Sequence, residues 1–271
     1  FAAFIIGFVV PFIMGVYLSF CKFTTVTDAE FVGLKNYTRA LQDKEFLHAL
    51  GFSTLLTIVT TIVINVVAFS IAYMLTKAIK GSNIFRSVFF MPNLIGGIVL
   101  GYVWKFVFNR AFVAIAEAAT QTDHASLLST PNGAMFCLIL VSVWQYAGYM
   151  MLIYVAGFMS VDQSLKEAAM IDGCNKGKAM WHVVIPLMRS SFVQCIFLST
   201  TRCFMVYDLN LSLTKGEPFN QSVLAAMHVY NQAFVYKNYG TGQAEALVLF
   251  IVCAVIGMLQ VYFGKKGEVA A

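Results

Sequence analysis

The sequence has very little charge for its length. Only 11% of its 271 residues are charged and 59% are hydrophobic, whereas soluble domains carry about 25% charged residues. So few ionised side chains cannot cover the surface of a soluble domain of this size, so the composition predicts a membrane protein. The net charge of +5 comes without a basic cluster interleaved with aromatic residues, which argues against nucleic acid as a partner.

Motifs for chemistry are missing as well. The six cysteines form no CxxC pair and lie mostly in apolar runs, so we interpret them as small hydrophobic residues of the interior. The four histidines show no metal-ligand spacing, and no GxSxG, P-loop or HExxH motif is present. The sequence therefore predicts no catalytic residue, no metal site and no cofactor bound by this chain. A membrane-embedded enzyme would need clustered His, Asp or Glu within its spans, and the sequence has no such cluster.

Long hydrophobic runs are what the sequence does contain. A bilayer core about 30 Å thick needs about 20 apolar residues per helix. Six stretches meet this length: Phe1–Phe20, Leu50–Leu75, Ser87–Phe108, Ala134–Phe158, Ser191–Leu213 and Ala244–Phe263. They are too long and continuous for the strands of a transmembrane barrel. We predict an all-α membrane protein with six transmembrane helices in one domain, 1–271, whose amino-terminal lead-in is missing before Phe1.

Lysine and arginine are unequally distributed between the connections, and this predicts the orientation. One set of connections and the tail carry an excess of basic residues over acidic ones: Lys77, Lys80, Arg86, Lys166, Lys176, Lys178, Arg189, Lys265 and Lys266, against Asp162, Glu167, Asp172 and Glu268. In the other set, acids match the basic residues one for one: Lys22, Lys35, Arg39, Lys44, Arg110, Lys215 and Lys237, against Asp28, Glu30, Asp43, Glu45, Glu117, Asp123 and Glu217. Because cytoplasmic loops are enriched in lysine and arginine, we expect the first set and both termini to be cytoplasmic.

A polar segment, 160–187, separates the fourth and fifth stretches on the predicted cytoplasmic side. Ser160 and Gln163 match a capping box for a helix ending near Asp172, and Gly173 can adopt the left-handed conformation that ends a helix. A second short helix is predicted around 178–183, presenting Trp181, with Pro186 at its end. The residues alone leave two interpretations open: a helix-turn-helix that docks onto another protein, or an interfacial helix resting on lipid headgroups.

The spacing in this segment resembles a family signature. Glu167-Ala168-Ala169, three residues, Gly173, nine residues, Val183, one residue, Ile185 and Pro186 are similar to the EAA motif of ABC-importer permeases. Val183 and Ile185 stand where the family usually has isoleucine and leucine. The resemblance implies that the segment is a coupling loop that docks onto an ATPase. Its implied ATPase-coupling residues are Glu167, Ala168, Ala169, Asp172 and Gly173.

Further segments resemble the sugar-importing branch with MalF-like permeases. They are "FVGLKNY" at 31–37, "FFMPNLIGGIVLGYVWKFVFN" at 89–109, the run from Trp144 into the coupling loop, and "VYDLNLSLTKGEP" at 206–218. In the last of these, Lys215 and Glu217 replace two glycines of the family pattern. The spacing in 31–46 also predicts a short amphipathic helix at the outer interface.

The resemblance implies a set of partners and a division of labour. We expect a second, MalG-like permease, two ABC ATPase subunits that bind ATP and Mg, an extracellular solute-binding protein that delivers a sugar, and the lipid of a bacterial or archaeal cytoplasmic membrane. This chain would then carry half of the pathway, while ATP hydrolysis belongs to the ATPases. Alternatives are an ABC permease for a non-sugar solute and a secondary transporter, although no paired Gly/Pro-broken halves typical of the latter are present.

Polar residues inside the fourth and fifth stretches are candidates for the substrate pathway. Arg202 is costly at the centre of a span, by about 2.5–3.5 kcal/mol, and should therefore face protein or water. Its alternative role is an internal structural pair or a side chain that snorkels to the end of the span. Hydroxyl, amide and aromatic groups suit a sugar. The MalF-like resemblance implies that the segment around Trp144 and the stretch matching Ser199–Cys203 line the solute site. With Arg202 and Asp208, the candidates are Ser142, Gln145, Tyr146, Tyr149, Ser199, Arg202, Cys203 and Asp208. Gly97 and Gly101 form a GxxxG pair that we interpret as a helix-packing site.

Overall fold

A computed structural model describes residues 1–77, 81–120 and 125–265. Within these ranges the chain is almost entirely helical, with one two-stranded antiparallel ribbon of β1 (Cys21–Lys22) and β2 (Glu30–Phe31). The helices in chain order are α1 (Ala2–Ser19), α2 (Lys35–Gln42), α3 (Lys44–Thr76), α4 (Ser82–Phe90), α5 (Gly97–Thr120), α6 (Pro131–Ser160), α7 (Gln163–Ile171), α8 (Lys176–Leu187), α9 (Arg189–Phe204), α10 (Asp208–Leu213), α11 (Ala225–Tyr230) and α12 (Tyr239–Lys265).

The predicted class, an all-α membrane protein, is confirmed. Among the described residues, five helices are long and apolar enough to cross a membrane, namely α1, α3, α5, α6 and α12. A sixth is added when α8 and α9, which meet at a bend of 69°, are counted as one span. Single π-helical turns lie within α1, α5 and α8 and continue α11 at Asn231–Val235.

The predicted third span, Ser87–Phe108, is wrong in its boundaries. The chain leaves the helix after α4 at a 3₁₀ turn, Met91–Leu94, and the membrane-length helix α5 runs on from Gly97 to Thr120. Pro92 explains the break, because proline has no N–H to continue the helical hydrogen bonds. The apolar run therefore contains two helices, and nearly half of the connection predicted after 108 belongs to α5.

The predicted fifth span, Ser191–Leu213, is also interrupted. Helix α9 ends at Phe204, and a separate helix, α10, begins at Asp208 and packs along α5. The sequence contains no proline or glycine here. The break is therefore set by tertiary packing, because Gly97 and Gly101 of α5 let α10 approach closely, as the GxxxG interpretation predicted.

The core of the bundle lies between α3, α6 and α9. Helix α3 packs along α6 over much of its length, and α9 packs against both. The fully buried side chains at this junction include Ile64, Met150, Met151 and Tyr154. Four of the six cysteines, Cys21, Cys137, Cys195 and Cys203, are buried, in keeping with their interpretation as apolar interior residues. The centre of the bundle is thus a rigid platform for the polar groups described below.

The outer connections carry their own folded structure. The predicted amphipathic helix is α2, which turns Asn36 and Ala40 inward. The Asn36 side chain donates to the carbonyl oxygens of Ser19 and Cys21, both at 2.9 Å, and so joins α2 to the end of α1. Near the other end of the chain, Lys215 adopts φ 55°. It therefore holds the left-handed conformation that a glycine favours at this position of the family pattern.

Part of the charge argument rests on residues that lie outside the described ranges. Lys80, Asp123, Lys266 and Glu268 are among them. Glu117, the other acid assigned to the connection after the predicted third span, is part of α5 rather than of a loop. The orientation therefore stays a prediction.

Candidate functional site

The break between α4 and α5 brings backbone polar groups into the middle of the predicted third span. Ile95 and Gly96 are extended, so the carbonyl oxygen of Ile95 lacks a helical partner. The Nε2 group of Gln145, on α6, donates a hydrogen bond of 3.0 Å to that oxygen. Non-helical backbone at membrane depth is tolerated where it is buried in protein or lines a cavity. The break therefore marks this region as a candidate solute site.

Arg202 lies opposite the break, near the end of α9. Its Nη1 donates to Asn93 Oδ1 at 2.7 Å, and its guanidinium lies 4.7 Å from the ring centre of Tyr149 and 5.5 Å from that of Tyr146. Among the described residues, no carboxylate forms a salt bridge with it. Two tyrosine ring faces and one amide therefore stabilise the guanidinium of Arg202. These contacts leave some of its N–H donors free to bind another ligand.

Asp208 lies next to this cluster, at the start of α10. Its Oδ1 accepts the N–H of Leu209 at 3.0 Å, and a Cβ at Gly97 would collide with its carboxylate. Arg202, Tyr146, Tyr149 and Asp208 are all partly exposed. We call these four residues with Asn93 the arginine cluster.

Other predicted pathway residues are buried in this conformation. Ser142 and Cys203 are 1% exposed, and Gln145 is 5% exposed. Ser199 is fully buried, donates to the carbonyl of Cys195 at 2.6 Å and accepts from Asn65 Nδ2 at 3.0 Å. The predicted set thus divides into a partly exposed arginine cluster and a buried layer behind it.

Sequence reasoning missed several polar residues that hold this region together. Asn93 was not singled out, although the Pro-Asn pair at 92–93 is a turn signal within an apolar run. Asn65 links three helices, since its Oδ1 accepts from the hydroxyl of Tyr154 at 2.7 Å while its amide donates to Ser199. A lone asparagine in a span is itself a signal for a partner, but the sequence does not show which residue that partner is.

The polar segment 160–187 is a helix-turn-helix, as predicted. Its first helix, α7, is capped by Asp162, whose carboxylate accepts the N–H of Ser164 at 2.9 Å. The predicted cap, Ser160, is wrong: it is the last residue of α6, and its hydroxyl donates to the carbonyl of Gly157. Asp162 is the better cap because an ionised carboxylate also complements the positive end of the helix. The hydrogen bonds from Ser164 hold the pKa of Asp162 below its usual value.

Gly173 ends α7 in the left-handed conformation, with φ 85°. The N–H of Cys174 donates to the carbonyl of Ala169, which closes the turn. The second helix, α8, is capped by Asn175 and continues past the predicted end through Pro186 to Leu187. It then meets α9 at the 69° bend. The segment is therefore two short, separately capped helices joined directly to the fifth span.

The exposed surface of this segment is partly apolar. Ile171 is 86% exposed and Trp181 is 70% exposed. The two alanines of the EAA motif face different ways, since Ala168 is exposed and Ala169 is 8% exposed. Glu167 is exposed and accepts a hydrogen bond from Gln163 Nε2 at 3.2 Å, while Asp172 is exposed at the helix end. Exposed tryptophan and isoleucine on a polar element are typical of a protein-docking surface.

A second polar cluster, which the sequence reasoning did not identify, lies where α3, α11 and α12 meet. His228 Nδ1 lies 3.1 Å from Glu245 Oε2, and its Nε2 lies 4.0 Å from Asp43 Oδ2. Glu245 is fully buried. Burial would lower the pKa of His228, but the hydrogen bond and charge of Glu245, with the charges of Asp43 and Glu45, raise it above its usual value. The sequence signal for this cluster is Glu245, a carboxylate within the apolar stretch Ala244–Phe263.

Known proteins resemble this chain over nearly all of its length. It is 37% identical over 265 residues to the probable starch degradation products transport system permease protein AmyD of Thermoanaerobacterium thermosulfurigenes, covering 98% of this chain and 91% of that protein. It is 32% identical to the multiple sugar-binding transport system permease protein MsmF of Streptococcus mutans, covering 98% and 92%.

The same fold occurs in a solved structure of a bacterial ABC transporter involved in the import of the acidic polysaccharide alginate. A chain of that transporter superposes with a TM-score of 0.84 at 15% identity, covering 97% of this chain and 91% of that chain. The family model for a binding-protein-dependent transport system inner membrane component matches residues 80–267. That match includes the broken helix, the arginine cluster and the helix-turn-helix, and the chain accordingly belongs to the family of binding-protein-dependent transport system inner membrane components.

Proposed function

We propose that this chain is the permease subunit of an ATP-driven ABC importer and forms half of the pathway for a sugar or oligosaccharide. The observation that carries the proposal is the capped helix-turn-helix with an exposed apolar surface, joined to the fifth span of a chain that belongs to this family. The names of the two relatives, for starch degradation products and for multiple sugars, support a carbohydrate. The chain itself is a transport subunit and not an enzyme.

The helix-turn-helix is the coupling loop in this proposal. Ala168, Ile171 and Trp181 contact a cleft on an ATPase subunit, while Glu167 and Asp172 anchor the polar edge of that contact. Gly173 sets the angle between the two helices. ATP and Mg are bound by the two ATPase subunits, so this chain requires no cofactor. Movement of the loop reaches α9 directly, because α8 and α9 share the bend.

The solute pathway runs past the arginine cluster. Tyr146 and Tyr149 offer aromatic faces to the apolar side of a sugar ring, and Arg202 and Asp208 offer a donor and an acceptor to its hydroxyl groups. The buried layer of Ser142, Gln145, Ser199 and Cys203 supports the cluster and becomes accessible as the spans move. An extracellular solute-binding protein delivers the sugar, and a second, MalG-like permease supplies the facing half of the pathway.

In this arrangement the protein lies in the bacterial or archaeal cytoplasmic membrane with both termini and the coupling loop in the cytoplasm. The basic residues Lys166, Lys176 and Lys178 on the loop support that side. The opposite face carries the ribbon, α2 and α11, which offer a folded platform for a binding protein.

Cysteine cross-linking tests the coupling loop. In a Cys174→Ser background, Ala168→Cys forms a disulfide or maleimide cross-link to an ATPase subunit in the assembled complex. The matched control is Ala169→Cys, which faces the interior of its own chain and cross-links at least about tenfold less. Cross-linking of Ala168→Cys to phospholipid alone, or equal labelling from the outside of intact cells, would falsify the docking proposal.

Saccharide screening tests the transported solute. The assembled complex in proteoliposomes is supplied with candidate binding protein and oligosaccharides, and vanadate-sensitive uptake and ATPase activity are measured together. We expect neutral oligosaccharides to stimulate both. A second candidate class is an acidic or phosphorylated sugar, favoured by Arg202, which has no salt-bridge partner among the described residues. Uptake driven by an ion gradient and insensitive to vanadate would instead indicate a secondary transporter.

A further inference from the structure

A cavity of about 1050 Å³ lies between the span ends and the coupling loop, at the opposite end of the bundle from the His228 cluster. Its walls come from the last turns of α3 and α6, the first turns of α4, and parts of α7 and α8. None of the residues of the arginine cluster lines it. The cavity is therefore separate from the proposed solute pathway.

Four cations face this cavity: Lys77, Arg86, Lys166 and Lys176. The described residues contribute one lining carboxylate, that of Asp162, and it is engaged by the N–H of Ser164 as the helix cap. No salt bridge joins any of the four cations to a carboxylate within the described ranges. Cations gathered around one cavity repel one another unless an anion is shared between them.

One of these cations has a donor without a partner. The Nε group of Arg86 is buried and has no hydrogen-bond acceptor among the described residues, and an unpaired buried donor costs about 1–3 kcal/mol. Lys77 Nζ lies 4.3 Å from the ring centre of Tyr73 and so has an aromatic partner but, among the described residues, no carboxylate. Lys77 lies at the end of α3 and Arg86 lies within α4, so neither belongs to the coupling loop.

The floor of the cavity is apolar. Leu75, Phe158 and Val184 line it beneath the cations, and each is at most 5% exposed. The cavity therefore combines a cationic rim with a hydrophobic wall at the depth where the spans end. This is the depth of lipid headgroups, and basic pockets between transmembrane helices bind anionic headgroups.

We propose that this cavity binds the phosphate headgroup of an anionic phospholipid, with Arg86 and Lys77 on the phosphate and the acylglycerol portion against Leu75, Phe158 and Val184. Lys166 and Lys176 bring the coupling loop onto the same headgroup. The bound lipid then joins the loop to the ends of α3 and α4. The proposal rests on the proposed membrane placement but not on the identity of the solute or the ATPase.

Native mass spectrometry of the full chain in its purified assembly tests this site. The protein is exchanged into nanodiscs of phosphatidylcholine with or without phosphatidylglycerol, released, and scored for retained lipid. We expect wild-type protein to retain phosphatidylglycerol selectively. Each cation near a headgroup contributes roughly a fivefold factor to affinity, so Lys77→Gln with Arg86→Gln lowers retention by more than about tenfold, and Lys77→Gln alone by about fivefold.

The matched control is Lys35→Gln with Arg39→Gln, which removes the same two side-chain types from exposed positions on α2. Its retention of phosphatidylglycerol stays at the wild-type value. Equal losses in both double variants overturn the site. Inorganic phosphate that displaces the lipid at millimolar concentration would assign the cavity to a free anion, and a bound acidic protein segment with no lipid would assign it to a partner; either result overturns the proposal.

The outcome is independent of the transport test. Saccharide-stimulated ATPase activity without retained phosphatidylglycerol overturns the lipid site and leaves the importer assignment standing. Retained phosphatidylglycerol with no ATPase partner overturns the importer assignment and leaves the lipid site standing.

Discussion

Glu245 is a fully buried acid in a helix of mostly apolar residues, and its position depends on one histidine. Its Oε2 faces His228 Nδ1 at 3.1 Å, and His228 in turn faces the Asp43 carboxylate and the Phe46 ring. Asp43 also caps α3 through the N–H groups of Glu45 and Phe46. The His228 side chain therefore joins the starts of α3 and α12 through α11.

This cluster predicts a pH-dependent stability. Because the pKa of His228 is raised in the folded protein, the stabilisation it gives is complete below its unfolded pKa of about 6.5 and is lost as pH rises through the folded value. The melting temperature of the protein in detergent should therefore fall as pH rises above about 6.5. Glu245→Gln should lower the free energy of unfolding by about 1–3 kcal/mol at low pH and flatten this dependence.

An exposed histidine provides the control. His182 lies on α8 with its Nδ1 at 2.9 Å from the carbonyl oxygen of Lys178, and His182→Gln should give a melting curve parallel to wild type at every pH. A wild-type protein that becomes more stable with rising pH, or a Glu245→Gln variant with an unchanged slope, contradicts the role of the cluster.

At the scale of the element, the angle between α7 and α8 depends on one backbone conformation. Gly173 has φ 85°, and nothing lies within 4 Å of the Cβ that a substitution would add. A Cβ there meets no neighbouring atom, so the main cost of a substitution is conformational, about 1–2 kcal/mol for a residue forced into the left-handed region. The strain can be relieved by changing the angle between the helices.

Gly173→Val is therefore expected to leave insertion and folding intact while uncoupling ATP hydrolysis from uptake in reconstituted complexes. Gly177→Val is the matched control, since Gly177 lies four residues away in α8 with a helical backbone and its nearest neighbour, Asn175 Oδ1, at 3.5 Å. We expect the control to keep at least about half of wild-type uptake per ATP. If the two variants couple ATP hydrolysis to uptake equally well, the angle that Gly173 sets between α7 and α8 is not required for transport.

The sequence predicted these elements unevenly, for physical reasons. The limits of α7 followed from Gly173 and the polar residues before the helix, because caps and left-handed glycines are local signals. Pro92 is a local signal for the break before α5, but it lies within a long apolar run that predicted one continuous span. The break at 205–207 carries no local signal, because it depends on the contact of α10 with Gly97 and Gly101 of another helix.

At the scale of the whole molecule, α1 is peripheral. Only 6% of its apolar window is buried within the chain, whereas half of the window of α6 is buried. Its contacts with the bundle run along α12, where Phe12 meets Phe250 edge-on at 5.5 Å between ring centres. Such a helix adds little to the stability of the core, and its exposed face is available to lipid or to the second permease.

A wedge between α1 and α12 should therefore detach the helix without unfolding the bundle. A Cβ at Gly15 would lie 2.7 Å from Gln243 Nε2, whereas a Cβ at Gly7 on the same helix meets nothing within 4 Å. Gly15→Leu should increase tryptic cleavage after Lys22 several-fold while the melting temperature of the core stays near wild type. Gly7→Leu should leave both unchanged. A large fall in melting temperature with Gly15→Leu would show that α1 belongs to the core.

Composition sufficed for the class of the whole molecule, because too few charges and six long apolar runs leave few alternatives. Arg202 was identifiable as a charge within a span that must face protein or water, but Asn93, Tyr146 and Tyr149 surround it only because helices from distant parts of the chain converge. Such convergence depends on distant contacts, as does the pairing of Glu245 with His228. Local patterns therefore predicted the two helices of the polar segment 160–187 more completely than the arginine cluster.

The bend between α8 and α9 has a geometric consequence for transport. Arg202 lies 13 residues beyond Arg189, the first residue of α9, which corresponds to a lever arm of about 20 Å along a helix. A tilt of α9 by about 5° about the bend would displace the guanidinium by nearly 2 Å, by the rise per residue of an α-helix. That displacement is enough to separate it from Asn93 Oδ1 and from the face of Tyr149. A slight rotation at the base of the fifth span would thus exchange one set of guanidinium contacts for another, releasing a solute held there.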